Sequence, residues 1–180
     1  MRRIVSNFFI SLDGVVQAPH EWHFPYFDDE MGRVVGEGMQ TQTAFLLGRR
    51  LYDEWSQYWP AQGPDVPFSS YINGAEKYVL THRPVDEPMW TNTTVLGDDA
   101  ASQVRALKAD GEGDIGMSGC ATTVRWLLSE GLLDELNLLL HPIAVGKGQR
   151  LFEDTGTVPL TLAASATLPS GVLNLRYQPA

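Results

Sequence analysis

Three stretches of the chain combine small residues, hydroxyls and cations in a way that suits a phosphorylated ligand. Gly48-Arg49-Arg50 joins a glycine, which lets a ligand come close to the backbone, to two guanidiniums able to make charge-assisted bonds to phosphate. Thr81-His82-Arg83 offers a hydroxyl and a cation, and Ser118-Gly119-Cys120-Ala121-Thr122 is a small-residue turn suited to a pyrophosphate at a helix N-terminus. None of them is a G-x-G-x-x-G or a G-x-x-x-x-G-K-[ST] pattern, so neither common phosphate fingerprint applies. Each alone is more often only a helix start or a turn. Their joint occurrence points to a dinucleotide site.

Acid–base candidates are fewer. Asp28 opens a helical pattern and can be read as a carboxylate facing a substrate or as a helix N-terminal charge in solvent. Asp13, in Leu12-Asp13-Gly14 after an apolar run, is a candidate acid whose commoner use is to fix a turn through its side chain. His20 and His23 lie three apart and lack the further ligands a zinc centre needs, so no metal site is assigned. Cys120 can be a thiolate favoured by a helix N-terminus or a small buried spacer. No Gly-x-Ser-x-Gly nucleophile elbow is present in the sequence, which argues against acyl transfer.

These residues must be held by elements whose pattern is plain. An apolar strand over 3–10 is stopped by Asp13-Gly14, and an irregular stretch with Pro19, Trp22 and Pro25 leads to a helix over about 28–41. Strands follow at 44–47, 77–81, 93–96, 114–117 and 135–144, with helices over about 49–55, 101–108 and 124–128 between them. A loop is expected over 56–67, before a short helix ending near Asn73-Gly74. Two last β segments, 158–162 and 172–177, flank Pro169-Ser170-Gly171 and suit a closing hairpin. The alternation predicts an α/β fold with a mostly parallel central sheet, an antiparallel C-terminal hairpin and helices on both faces. Open sheets of this kind bind ligands at the carboxyl ends of their strands, where all three junctions fall.

The whole chain, 1–180, reads as one domain: 180 residues, 43% hydrophobic and 19% charged, with no linker or repeat. Thirteen basic and 22 acidic residues give a formal charge of −9, which disfavours nucleic acid and anionic membranes as partners. A single cysteine, no leader-like N-terminal pattern and no apolar run near the ~20 residues of a membrane span make the cytoplasm the expected setting. Leu136, Leu138 and Leu140 alternate on one strand face while Leu139 points the other way, a surplus that can serve core or dimer surface.

Ser11-Leu12-Asp13-Gly14, Gly48-Arg49-Arg50-Leu51-Tyr52, Lys77-Tyr78-Val79-Leu80-Thr81 and the block 114–152 resemble the dihydrofolate reductase-like proteins. Within them, they resemble the reductase domain of bacterial riboflavin biosynthesis, the RibD C-terminal domain. In that last block the order of Gly116, Gly119, Leu132-Leu133-Asp134-Glu135, His141-Pro142, Gly146, Gly148, Leu151 and Phe152 carries the likeness. The resemblance implies NADPH as cofactor, with Gly48, Arg49 and Arg50 by the adenosine 2′-phosphate, Thr81, His82 and Arg83 by the adenosine end, and Ser118, Gly119, Cys120, Ala121 and Thr122 by the pyrophosphate. It implies a mobile loop over 16–27 that closes on nicotinamide and substrate, with Asp13, Trp22 and Phe27 on the substrate side. Trp22 and Pro25 ahead of Asp28 resemble, one residue out of step, the Trp, Pro and acidic residue before the pterin-facing helix of dihydrofolate reductases. This makes Asp28 the candidate catalytic carboxylate.

The reaction expected is NADPH-dependent reduction of a small pyrimidine- or pterin-type heterocycle by a homodimer. Two departures bear on the substrate. Val15 follows Asp13-Gly14 where the riboflavin-pathway reductases commonly carry a basic residue, and the helix at 28–41 opens acidic with Arg33 as its one cation. A ribose-phosphate substrate therefore lacks its expected partners. The alternatives are a nucleotide-binding or sensing module without turnover, and a hydrolase using His20, Glu21 and Asp28.

Overall fold

The computed structural model describes residues 1–87 and 89–180. Its strands are β1 (Ile4–Ser11), β2 (Gln42–Gly48), β3 (Glu76–Leu80), β4 (Thr93–Leu96), β5 (Asp114–Ser118), β6 (Glu135–His141), β7 (Leu160–Thr167) and β8 (Leu173–Pro179). Its helices are α1 (Asp29–Thr41), α2 (Arg49–Tyr58), α3 (Ser69–Gly74), α4 (Ala100–Ala109) and α5 (Ala121–Ser129). All eight strands join one sheet in the order β4-β3-β2-β5-β1-β6-β8-β7. The first six run parallel; β8 lies antiparallel to β6, and β7 antiparallel to β8. The expected sheet, hairpin and two layers of helices are all present.

Strand alternation decides which helix covers which face. Ile4, Phe8 and Ile10 of β1 join Leu46, Ile115, Met117 and Leu136 in one core, closed by Val104 of α4 and by Val124 and Leu127 of α5. On the opposite face Phe9 and Leu139 pack with Met31, Val34 and Val35 of α1, while Phe45, Leu47 and Val79 pack with Tyr52 of α2 and Ile72 of α3. Each fully buried aliphatic side chain is worth about 1.5–3 kcal/mol of transfer free energy, so both layers are held by apolar contact.

The edge at the amino ends of the strands is closed by charge. Arg3 pairs with Asp114 at 2.6 Å and Glu135 at 3.4 Å, and Lys108 pairs with Asp134 at 2.6 Å. Asp134 also accepts the Ile4 N–H at 2.7 Å. The Leu132-Leu133-Asp134-Glu135 segment thus ties β6 to β1, far from the opposite edge.

Several boundaries differ from the sequence reading. β6 ends at His141 because Pro142 has no N–H to extend the ladder. α2 runs on to Tyr58, and a 3₁₀ turn, Trp59–Ala61, occupies part of the expected loop. β7 lies later and is longer than expected: Leu-Thr-Leu-Ala-Ala-Ser-Ala-Thr is mostly exposed, so no clean alternation marks it, and its pairing with β8 sets its ends.

Candidate active site

Because β1 to β6 are parallel, Ser11, Gly48, Leu80, Leu96, Ser118 and His141 end side by side along one edge. β1 leads into α1 on one face and β5 into α5 on the other, so the chain departs in opposite directions from neighbouring strands. A crevice opens at such a switch point, and unpaired helix N–H groups face it.

The junctions after β2 and β5 interlock. The Gly48 N–H donates to Cys120 Sγ at 3.2 Å, and a Cβ on Gly48 would sit 2.7 Å from Thr123 Oγ1. Only glycine lets the start of α2 and the start of α5 come this close. Gly119, at φ +68°, makes the left-handed turn that aims α5. Burial raises the Cys120 thiol to about 11, so it is the buried spacer and not a thiolate.

Beside these junctions lies a cleft of 520 Å³ lined by Leu80, Thr81, His82, Gly97, Asp99 and Thr122, among others. It brings together residues from two of the three junctions. His82 stands at its rim, 3.5 Å from Asp98, with both side chains in solvent. Thr81 Oγ1 accepts the Arg83 N–H at 3.0 Å, which fixes the turn out of β3.

The two arginines separate in role. Arg49 is mostly covered: it donates to Asp53 at 2.7 Å and to the carbonyls of Arg83, at 3.2 Å, and Pro84. It ties α2 to the segment after β3. Arg50 keeps 68% of its side chain exposed, with Glu54 at 3.2 Å, and is available to an anion.

Asp28, the candidate catalytic carboxylate, is held by backbone donors. Its Oδ1 accepts the Met31 N–H at 2.8 Å and its Oδ2 the Ser170 N–H at 3.0 Å. The carboxylate caps α1 and tethers the turn before β8, and those bonds, Met31 first, hold its pKa below the usual carboxylate value. Asp13 behaves likewise: Ser11 Oγ at 2.6 Å and the N–H groups of Val145 at 3.0 Å and Gly146 at 2.8 Å lower it to about 2. It fixes the loop after β6, which is its turn-forming reading.

The stretch over 16–27, which the resemblance implies is a mobile loop, makes defined contacts at both ends. Val16 donates to the Gln149 carbonyl at 2.9 Å, Gln17 Oε1 accepts from the Gln149 N–H at 2.8 Å, and two 3₁₀ turns, Pro19–Glu21 and Phe24–Tyr26, follow. Trp22 is buried, with its indole N–H on the Gln17 carbonyl at 3.2 Å. Phe27 is 45% exposed and folds its ring towards Gly32. His20 and Glu21 point to solvent, so they do not join Asp28 in a hydrolytic cluster.

At the centre of this stretch His23 is buried, stacked on Phe9 with centroids 4.5 Å apart and flanked by Phe24 at 4.2 Å. Trp22 and Tyr26 meet the buried ring of His141 edge-on at 5.2 and 5.7 Å. His141 Nδ1 bonds the Leu139 carbonyl at 2.8 Å and so carries the proton, leaving Nε2 buried with no partner among the described residues. Sequence reading missed His141 as part of this cluster, since a strand-end histidine carries no spacing signal. It also missed Gly97 and Asp99, which the sheet order alone brings to the cleft.

Residues 2–174 match the RibD C-terminal domain family. The chain belongs to that family. A Bacillus subtilis relative, the uncharacterized protein YyaP, is 28% identical over 183 residues, covering 98% of this chain and 94% of its own. A putative riboflavin biosynthesis protein from a Shewanella species superposes with a TM-score of 0.77 at 20% identity, over 100% of this chain and 99% of its own. An Enterococcus faecalis dihydrofolate reductase, solved with NADP(H), superposes with a TM-score of 0.62 at 15% identity over 98% and 94% of the two chains. The fold is therefore dihydrofolate reductase-like. The family is a reductase domain, which makes oxidoreduction the class of chemistry.

Proposed function

We propose that this protein is an NADPH-dependent reductase of a small pyrimidine- or pterin-type ring, with the dinucleotide along the carboxyl edge of the sheet. The observation that carries this reading is the meeting of Gly48 and the α5 start beside the 520 Å³ cleft, a cradle that a single Cβ would fill. Thr81, His82, Gly97 and Asp99 would take the adenosine; Ser118 to Thr122, with Gly48, the pyrophosphate; and Arg50 the 2′-phosphate, for which a guanidinium is the better partner. The chemistry a bound nicotinamide supplies is hydride transfer. The chain's own residues bind and orient the ring and keep water from it, the aromatic stretch over 19–27 forming the wall on the α1 side. Asp13 and Asp28 are both held ionised by backbone donors, so neither supplies the accompanying proton.

That commitment of both carboxylates favours, as a second reading, a nucleotide-binding module without turnover. Fluorescence titration and NADPH oxidation against a panel of pterins and pyrimidines separate the two. Tighter binding of NADPH than NADH, a preference abolished by Arg50→Glu, and oxidation with at least one ring are expected. Binding without any oxidation would leave the module, and no binding would end both readings. The cytoplasm suits this reading, since it keeps a lone thiol such as Cys120 reduced.

The same reading takes the protein as a homodimer. Leu138, Leu140, Leu173, Leu175, Leu162 and Tyr177 share one face of β6, β8 and β7, and Leu162 is 50% exposed. Sedimentation at micromolar concentration should give twice the 19.9 kDa chain mass. A monomer would reject the dimer.

A further inference from the structure

The face of the sheet that carries α1, α2 and α3 holds two apolar clusters, one over β2 and β3 and the other over β1 and β6. Between them the floor turns polar. Asn7 is in register with Ser118 of β5 on one side and Asn137 of β6 on the other, so three polar side chains cross three adjacent strands on one face. Gln42 extends the row, its amide lying where a Cβ on Gly116 would be, and the partly buried Phe9 stands next along β1. Polar residues in the middle of a parallel sheet are costly unless something satisfies them, and here the satisfaction is incomplete. Asn137 Nδ2 donates to Asn7 Oδ1 at 3.1 Å, while Asn137 Oδ1 is buried with no donor among the described residues. Turning either amide does not remove the deficit. Two side-chain amides joined by one hydrogen bond always leave one oxygen and further N–H groups over.

Resting on the reductase reading, we propose that Asn7 and Asn137 form the platform that recognises the lactam edge of an uncharged heterocycle, and that the ring this site takes carries no phosphate. A lactam places an N–H beside a C=O in one plane. The free oxygen accepts that N–H and the free amide N–H donates to that C=O, with Phe9 beside them as an apolar neighbour for the ring. The charges around the floor exclude a phosphoryl group. The α1 start carries Asp28, Asp29 and Glu30, and Arg33, the cation of α1, is closed in a clamp with Glu30 at 2.5 Å and with Glu37. Arg49 of α2 is spent on Asp53 and two carbonyls. A phosphate brought to this floor would meet the carboxylates of the α1 start, with Arg33 and Arg49 both closed on their own partners and the exposed Arg50 of α2 taken by the 2′-phosphate of the dinucleotide.

The test is equilibrium binding by calorimetry, with no turnover required. The wild-type protein should bind lumazine at least tenfold more tightly than 1,3-dimethyllumazine, which has the same rings but no lactam N–H. Uridine 5′-monophosphate should bind no more tightly than uridine. Asn7→Leu and Asn137→Leu, which keep the branching and heavy-atom count of the native residues, should each weaken lumazine at least tenfold and leave NADPH binding as it was. Equal affinity for the two lumazines, lumazine binding unmoved in folded variants, no lumazine binding at all, or a tenfold gain from the phosphate of uridine 5′-monophosphate would each overturn the proposal. The lumazine comparison stands even if a variant fails to fold. Loss of NADPH binding in the wild type would instead count against the reductase reading, so the two failures are distinguishable.

Discussion

His23 shows how a side chain can be made pH-sensitive by its surroundings alone. Burial, and then the nearby rings of His141 and His20, lower it to about 4 from an unfolded value near 6.5. His141 shifts the same way, burial again leading. A base whose folded pKa is depressed binds its proton more readily once unfolded, so its share of stability is complete above about pH 6.5 and is lost as the pH falls towards 4. For His23 the loss over that window is roughly 3 kcal/mol. Urea unfolding at pH 7.5 and 4.5 should show this loss in the wild type and a clearly smaller one in His23→Phe, which keeps an aromatic ring on Phe9. An unchanged acid limb would mean that His23 is not buried against Phe9. Asp13 acts at lower pH with the opposite kind of group: its carboxylate, lowered to about 2, keeps its contribution above about pH 4 and loses it only as the pH falls through 2.

At the level of elements, α3 depends on a cation that comes from the next strand. Lys77 is fully buried, its ammonium donating to the carbonyls of Ile72 at 2.8 Å, Ala75 at 2.7 Å and Asn73 at 3.4 Å, with the Trp90 ring 4.4 Å away. It satisfies the last carbonyls of a helix too short to stand alone. Burial pulls the ammonium down to about 8, so the cap is a charge held at a cost. Lys77→Met fills the volume but leaves those carbonyls bare, and it should lower unfolding stability by about 2 kcal/mol in urea titration. No loss would show that water or a shifted chain replaces the amine. From the sequence, Lys77 reads only as the first residue of a strand, because its partners are carbonyls, which have no residue-type signature. The strands of the parallel core were legible because they are apolar and bounded by glycine and aspartate, whereas β7 was not, because small exposed residues show no period. The same difference separates the site residues. Gly48, Ser118 and Gly119 follow from strand-to-helix junctions, but the fates of Arg49 and Asp28 depend on the Arg83 carbonyl and the Ser170 N–H, more than 30 and 140 residues away. Asn7 and Asn137 are brought together by strand order, which no local pattern contains.

At the scale of the molecule, one sheet separates two jobs by its two edges. The amino edge is closed by Arg3, Lys108 and their carboxylates, which fasten β1 to β5 and β6. The carboxyl edge is left to small residues, hydroxyls and an exposed arginine, next to a cleft between β3, β4 and the starts of α4 and α5. A net charge of −9 does not prevent a phosphorylated cofactor from binding there, because screening confines that field to about 8–10 Å and local donors decide. What the whole account claims is that this edge holds a dinucleotide. A crystal structure of the protein with NADPH tests it most directly. The adenosine should lie in the cleft beside Thr81, Gly97 and Asp99, the pyrophosphate between Gly48 and Gly119, and the nicotinamide towards β1 and Phe9. NADPH bound away from this edge, or an edge left empty at saturating NADPH, would contradict it.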